Sequence, residues 1–234
     1  MLIYPRPIAD IEIFFTDQGL LKDFIAKGEV KNLKAELISN FFISNARLSF
    51  FADKNDILIK NIFANLEDFE ISEGDIKLNL EKGIKLNSNF NSNIDIDKNL
   101  IKKYNKLFKN YDLNIIKNLK GKLSNNVYVN LDDTYKVSDY TFSSSGNIEK
   151  SDLDLSKPFK NSFLKDEIKK IYFSNLKFKS IFSPSNITST LDGKYSLNNT
   201  DFLKINLENS IKNNITNLKV NLDYKNNFEI NFIN

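Results

Sequence analysis

For most of its length this chain alternates apolar and polar residues one by one, and that period of two constrains the fold more than any other feature. Leu48 and Phe50, Ile57 and Ile59, Ile76, Leu78 and Leu80, and Ile84 and Leu86 each put aliphatic or aromatic side chains on one side of an extended segment. Successive strand residues point to opposite faces of a sheet, so such segments have one face to bury and one to leave in water. The alternation fills Glu29 to Ile96 and resumes from Leu119 to Leu155 and from Ile171 to Phe232.

Hairpin register follows from loop length, because an odd loop keeps residues of like parity on one face of an antiparallel pair. With Glu81 to Gly83 as the loop, Leu80 opposes Ile84 and Leu78 opposes Leu86, and Gly83 takes a positive φ. With Asp132 to Thr134 as the loop, Leu131 faces Tyr135 and Val129 faces Val137. A loop from Asn198 to Phe202 sets Leu197 against Leu203 and Tyr195 against Ile205. A loop from Lys225 to Asn227 sets Tyr224, Leu222 and Val220 against Phe228, Ile230 and Phe232. Four hairpins thus share one apolar side, which predicts a mainly β chain. Its sheet is a long antiparallel meander curled into a groove, or into an open barrel or sandwich. The hairpins recur as loosely similar units without a strict repeat.

Three helices are predicted beside the strands. Leu20, Leu21, Phe24 and Ile25 have helical spacing between Thr16 and Lys27, and Gly28 stands where a helix would end. Asp97 caps a longer helix reaching Ile116, whose stripe is Leu100, Ile101, Tyr104, Leu107, Phe108 and Tyr111; Leu107 and Phe108 are expected to pack on the sheet. A third, short helix is expected around Phe163 to Lys169. Lys157-Pro158 and Ser183-Pro184 mark breaks or strand edges. The 234 residues read as one β-rich unit, 1–234, cut from a longer protein, with a subdivision into 1–118 and 119–234 as the alternative.

Composition removes most enzyme chemistry. Without His or Cys there is no thiolate or imidazole nucleophile, no Ser-His-Asp triad and no usual zinc site. Asp95, Asp97 and Asn99 begin like a calcium loop, but Leu100 replaces the required Gly and Lys106 the required carboxylate. Asp132 and Asp133, or Glu67, Asp68 and Glu70, are neighbours without the separation or the pocket that an acid–base pair needs. Gly121-Lys122 lacks the spacing of a phosphate loop. The expectation is a protein without catalytic residues, cofactor or metal. The 33 basic and 30 acidic residues are interspersed and leave a charge of +3, with no basic stripe for nucleic acid. No apolar run reaches the roughly 20 residues that span a bilayer, and the start has no signal-peptide core.

The strands have a familiar style. Lys27–Leu37 (KGEVKNLKAEL), Ile57–Glu67 (ILIKNIFANLE), Gly74–Leu80 (GDIKLNL) and Gly193–Leu207 (GKYSLNNTDFLKINL) resemble the recurring strands of bacterial AsmA-like proteins, including the TamB and YhdP relatives. The resemblance implies a periplasmic segment anchored in the inner membrane through a part outside this chain, with envelope proteins as partners. It also implies a β-groove that binds or conducts phospholipid acyl chains. The residues expected to face lipid are Ile76, Leu78, Leu80, Ile84 and Leu86, then Val127, Val129 and Leu131, then Ile205, Leu207, Leu222, Ile230 and Phe232. The reading of another class is a structural or adhesion-type domain with a closed core that binds protein or glycan.

Overall fold

A computed structural model of the chain describes residues 8–38, 41–67, 69–105, 113–160, 167–213 and 215–225. Twelve strands form one sheet in chain order, β1 Ile8–Phe15, β2 Leu21–Ile38, β3 Phe41–Ala52, β4 Asp56–Leu66, β5 Phe69–Asn79, β6 Ile84–Asp97, β7 Ile116–Leu131, β8 Val137–Phe159, β9 Ile168–Ser183, β10 Asn186–Ser196, β11 Leu203–Lys212 and β12 Ile215–Leu222. The sheet is an antiparallel meander. Among the described residues it does not close, and β1 and β12 are its two edges. The strands are long, 18 residues in β2 and 23 in β8, where strands of about 5–6 are usual.

The chain divides into two compact units. The first holds residues 1–93, 123–144 and 181–186, and the second 94–122, 145–180 and 187–234.

In the first unit a register slip crosses every strand from β2 to β5, and β2 has further irregularities near its two ends. Val30 and Leu33 oppose Leu48 and Ala46, so three residues of β2 face two of β3. The same two-against-one count recurs in β3 between Ser44 and Arg47, in β4 between Ile59 and Ile62, and in β5 between Gly74 and Ile71. These are β-bulges, and each has a residue in the left-handed region: Asn32 (φ 57°), Asn45 (52°), Asn61 (54°) and Glu73 (52°). Asn tolerates that region better than most residues. The freed backbone N–H of Asn61 donates to the Asp75 carboxylate at 3.2 Å, and Asn91 Nδ2 donates to the Glu73 carboxylate at 2.8 Å.

One polar pair at each bulge replaces the single polar residue of the alternation, as in Val30-Lys31-Asn32-Leu33 and Ile59-Lys60-Asn61-Ile62. The apolar residues on either side therefore stay on one face. The extra backbone bends the strand and increases its local twist. On the apolar side the residues beside the bulges are small and crowded: Ala46 is 2% and Ala64 3% exposed, and a Cβ on Gly74 would lie 3.0 Å from the Ile62 Cβ.

Of the three expected helices the first is a strand, the second is present but shorter, and the third falls mostly outside the described residues. Thr16 to Lys27 is a turn followed by strand β2, with Gly19 at φ 76° and Thr16 Oγ1 accepting from the Leu20 N–H at 3.1 Å. Pairing of β2 with both β1 and β3 outweighs four residues of helical spacing. Gly28 lies within that strand because the Ile8 carbonyl oxygen and the Phe50 ring leave a Cβ no room. The second helix is α1, Lys98–Asn105, shorter than expected: residues 113–115 form a 3-10 turn and β7 has begun by Ile116. Its cap is as read, with Asp97 Oδ1 accepting from the Asn99 and Leu100 N–H groups at 2.8 and 3.0 Å, and Leu100 and Ile101 are buried. Leu107, Phe108 and Tyr111 lie outside the described residues. At the third site Ile168 and Lys169 already belong to β9, and residues 163–166 lie outside the described residues.

Turn chemistry also resets one hairpin. The Asp132 carboxylate accepts from the Thr134 hydroxyl (2.7 Å), the Thr134 N–H (2.8 Å) and the Lys136 N–H (3.1 Å), and these bonds hold it below the usual carboxylate range. With Tyr135 at φ 60° and Asp132 N–H bonded to the Lys136 carbonyl, the loop runs from Asp132 to Lys136. Tyr135 is thus in the loop instead of opposite Leu131. Asn130 and Ser138 bond each other across the strands, so Val129 does not face Val137. A shift of two residues leaves the faces unchanged. Gly83 has the expected positive φ, 69°.

The bulge geometry has a measurable consequence. Asn61→Val should lower stability by about 1–2 kcal/mol because a β-branched residue resists a left-handed backbone, whereas Asn61→Gly should change it by only a few tenths. Urea titration of the two variants distinguishes them, and equal tolerance of Val and Gly would contradict the bulge at this position.

Candidate functional site

Directly paired residues of antiparallel strands point to the same face, so the register of β1 to β5 shows which side chains form a surface. One row runs Ile11, Ala26, Ala52, Ile57, Leu78 across all five strands. The next runs Ala9, Gly28, Phe50, Ile59, Ile76. Val30 pairs with Leu48, Leu33 with Ala46, and Ile62 with Gly74 around the bulges. Beyond them lie Ala35, Ile43, Leu66 and Phe69 in one row, with Ala64 opposite Ile71. Every residue of these rows is apolar or glycine.

The other face carries Asp10, Lys27, Phe51, Leu58 and Lys77 in one row and Glu29, Ser49 and Lys60 in another. Arg47 stands opposite Phe63 there, its guanidinium 4.3 Å from the ring centre. This face is mixed: Ile8, Phe14, Ile25, Phe42, Phe51, Leu58 and Phe63 stand on it among the charged residues, whereas the opposite face carries no charge in its paired rows.

A second layer of protein would bury the apolar rows. Of their side chains only Ala46 and Ala64 are buried; the larger ones are half-buried by their strand neighbours, and Ile11 is 63% exposed. Among the described residues of the whole chain only eight hydrophobic residues are buried, too few for a closed core under twelve strands. The first unit thus presents an apolar surface five strands wide that its own described residues leave open.

The expected lipid-facing residues fall as follows. Ile76 and Leu78 are in this surface, opposite Ile59 and Ile57. Leu80 is just beyond β5, its N–H bonded to the Asn55 carbonyl at 2.7 Å, and Ile84 and Leu86 are half-buried in β6. Val127, Val129 and Leu131 are half-buried at the end of β7. Ile205 and Leu207 belong to the second unit, paired with Leu222 and Val220 of β12. Ile230 and Phe232, with the strand expected to pair them to Leu222 and Val220, lie outside the described residues. Sequence reasoning missed the contributions of β1 to β3, above all Ile43, Leu48, Phe50 and Ala52. Their signal was present as apolar–polar–Asn–apolar steps, Val30 to Leu33, Ile43 to Ala46 and Ile59 to Ile62, at which the alternation skips one residue.

The second unit contains a cavity of about 790 Å³ where β9 starts, β10 ends and β11 starts. Tyr195 is buried on its wall and donates its hydroxyl proton to the Asp223 carbonyl at 2.7 Å; burial pushes its ionisation up. Among the described residues no group of three or more acidic side chains is placed to hold a metal ion, and no helix is long and apolar enough to cross a membrane.

The face assignment is testable. Leu78→Asp should destabilise by roughly 1–3 kcal/mol, because it sets a carboxylate among Ile57, Ile59 and Ile76, while Lys77→Asp on the opposite face should stay within about 0.5 kcal/mol. Denaturant titrations giving equal losses would reverse the assignment. Comparison of the chain with protein-family models, with curated proteins and with solved structures finds no match.

Proposed function

We propose that this chain is a non-enzymatic lipid-handling segment, whose apolar sheet face binds phospholipid acyl chains and whose polar face stays in water. The observation that carries this reading is the continuous apolar array on β1 to β5, still half-exposed across five strands. Apolar patches of more than a few hundred Å² on a protein surface mark an interaction site.

The chemistry of the array favours hydrocarbon over protein as the occupant. Protein interfaces are enriched in Trp, Tyr, Phe, Met and Arg, and of these the paired rows contain phenylalanine alone. They offer aliphatic and small side chains with two phenylalanines, Phe50 and Phe69. Such a surface supplies area without directional contacts, which suits a flexible chain of methylenes. A fully buried methylene is worth roughly 0.8 kcal/mol, so a dozen lying half-covered gain about 5 kcal/mol.

The strand style shared with AsmA-like proteins supports the same reading. On it the chain belongs to a larger protein of the bacterial periplasm, anchored in the inner membrane elsewhere and passing lipid along its sheet towards the outer membrane.

Protein purified without detergent should carry phospholipid detectable by native mass spectrometry. Ile76→Asn should cut the bound lipid severalfold while the far-ultraviolet β signal is unchanged. Lipid-free protein that also takes up no fluorescent phospholipid from vesicles would overturn the proposal and leave a structural domain whose apolar face meets protein.

A further inference from the structure

The cavity of the second unit combines an apolar, aromatic wall with unpaired positive charge. Tyr172 of β9, Tyr195 of β10, Leu197 and Leu203 line it, with Tyr224 beyond β12. At about 790 Å³ it falls within the 300–1,000 Å³ usual for small-molecule sites. The bond from the Tyr195 hydroxyl to the Asp223 carbonyl ties the segment that carries Tyr224 to the end of β10, and the Asp223 N–H donates to the Lys204 carbonyl at 3.0 Å. The wall is therefore braced at two points.

Lys169, Lys170 and Lys225 also border the cavity, all exposed. Among the described residues none of the three forms an ion pair with a carboxylate. The two carboxylates of the lining are already engaged. Glu167 lies 3.7 Å from Lys160, and Asp201 accepts from Asn198 Nδ2 at 2.8 Å and from the Thr200 hydroxyl at 3.4 Å. Ammonium groups at the rim of an apolar wall, without an ion pair among the described residues, complement a ligand with a negative head and a hydrocarbon tail. Lysines suit this role as mobile point charges, which can follow a phosphate or a carboxylate without requiring one fixed geometry.

We infer that this cavity is a headgroup-selective site for anionic amphiphiles, with the phosphate or carboxylate held by Lys170, on the same face of β9 as Tyr172, and Lys225, and the first methylenes seated against Leu197, Leu203 and the tyrosines. The inference rests on the reading of the chain as a lipid holder and adds to it a preference that the apolar rows of β1 to β5 lack. Those rows cannot tell one headgroup from another; the lysine-bordered cavity can. Acidic phospholipids and free fatty acids share the required chemistry.

The test measures transfer of fluorescent phosphatidylglycerol, fluorescent phosphatidylcholine and a fluorescent fatty acid from vesicles to the whole chain. Phosphatidylglycerol is expected to bind at least fivefold tighter than phosphatidylcholine at low salt. The double variant Lys170→Glu/Lys225→Glu should abolish that preference and leave phosphatidylcholine binding unchanged. Lys77→Glu, on the polar face of the first unit, should leave the preference intact although its charge also reverses. Leu197→Asp, in the loop after β10, should weaken the anionic lipids while the β signal is retained. Displacement of bound phosphatidylglycerol by the fatty acid would show that a carboxylate head is accepted as well as a phosphate; absence of displacement restricts the site to phosphate heads. Equal binding of the two phospholipids, or a preference that survives the double variant, overturns the inference and leaves the lipid-holding proposal standing. Binding of no lipid at all overturns both.

Discussion

Lateral pairing of strands is the interaction on which this structure depends. In most domains a sheet is stabilised through its face, against a second layer. Here the described residues supply little of that, and α1 is the one α-helix among them. The ladder bonds and the cross-strand pairs, such as Phe50 with Ile59 and Ile57 with Leu78, must therefore carry the stability. Each pair contributes roughly 0.2–1 kcal/mol, so long strands with many pairs are what such a design requires. Strands of 10 to 23 residues over most of the sheet meet that requirement. The short edges β1 and β12, with eight residues each and every residue exposed, are where lateral support runs out.

A long flat sheet would leave its apolar side chains shielded only by one another. The row of bulges from Asn32 to Glu73 changes that locally by bending and further twisting four neighbouring strands. Small residues at Ala46, Ala64 and Gly74 accept the crowding on the apolar side of the bulges, and polar pairs accept the extra backbone on the other. The same device that shapes the surface also keeps its register, because a slip would bring an aliphatic residue to the left-handed position.

Function follows from what such a surface can and cannot recognise. Rows of Ile, Leu, Val and Ala supply affinity for hydrocarbon with little discrimination, since dispersion and hydrophobic burial do not depend on direction. Discrimination requires charge or hydrogen bonds held in place. In this chain those features stand together with apolar lining in the second unit, beside Tyr195, Lys170 and Lys225. On the proposed reading, holding a tail falls to the first unit and reading a head to the second.

The sequence by itself determined the class of structure: alternation at Ile57, Ile59, Ile76 and Leu78 specifies strands with one apolar side, and short polar loops between them specify a meander. It also determined the cap at Asp97 and the positive φ at Gly83, because both are local properties of a few residues. What only the tertiary structure decided depends on neighbours distant in the chain. Residues 21–27 became a strand because β1 pairs along them and β3 joins from Ala26 onward. The bulges at Asn32, Asn45, Asn61 and Glu73 align only when the strands are laid side by side, and Tyr195, Leu203 and Tyr224 meet only there. A local period sets which way a side chain points; which partner it then meets is a matter of pairing, and pairing energy is stored between strands.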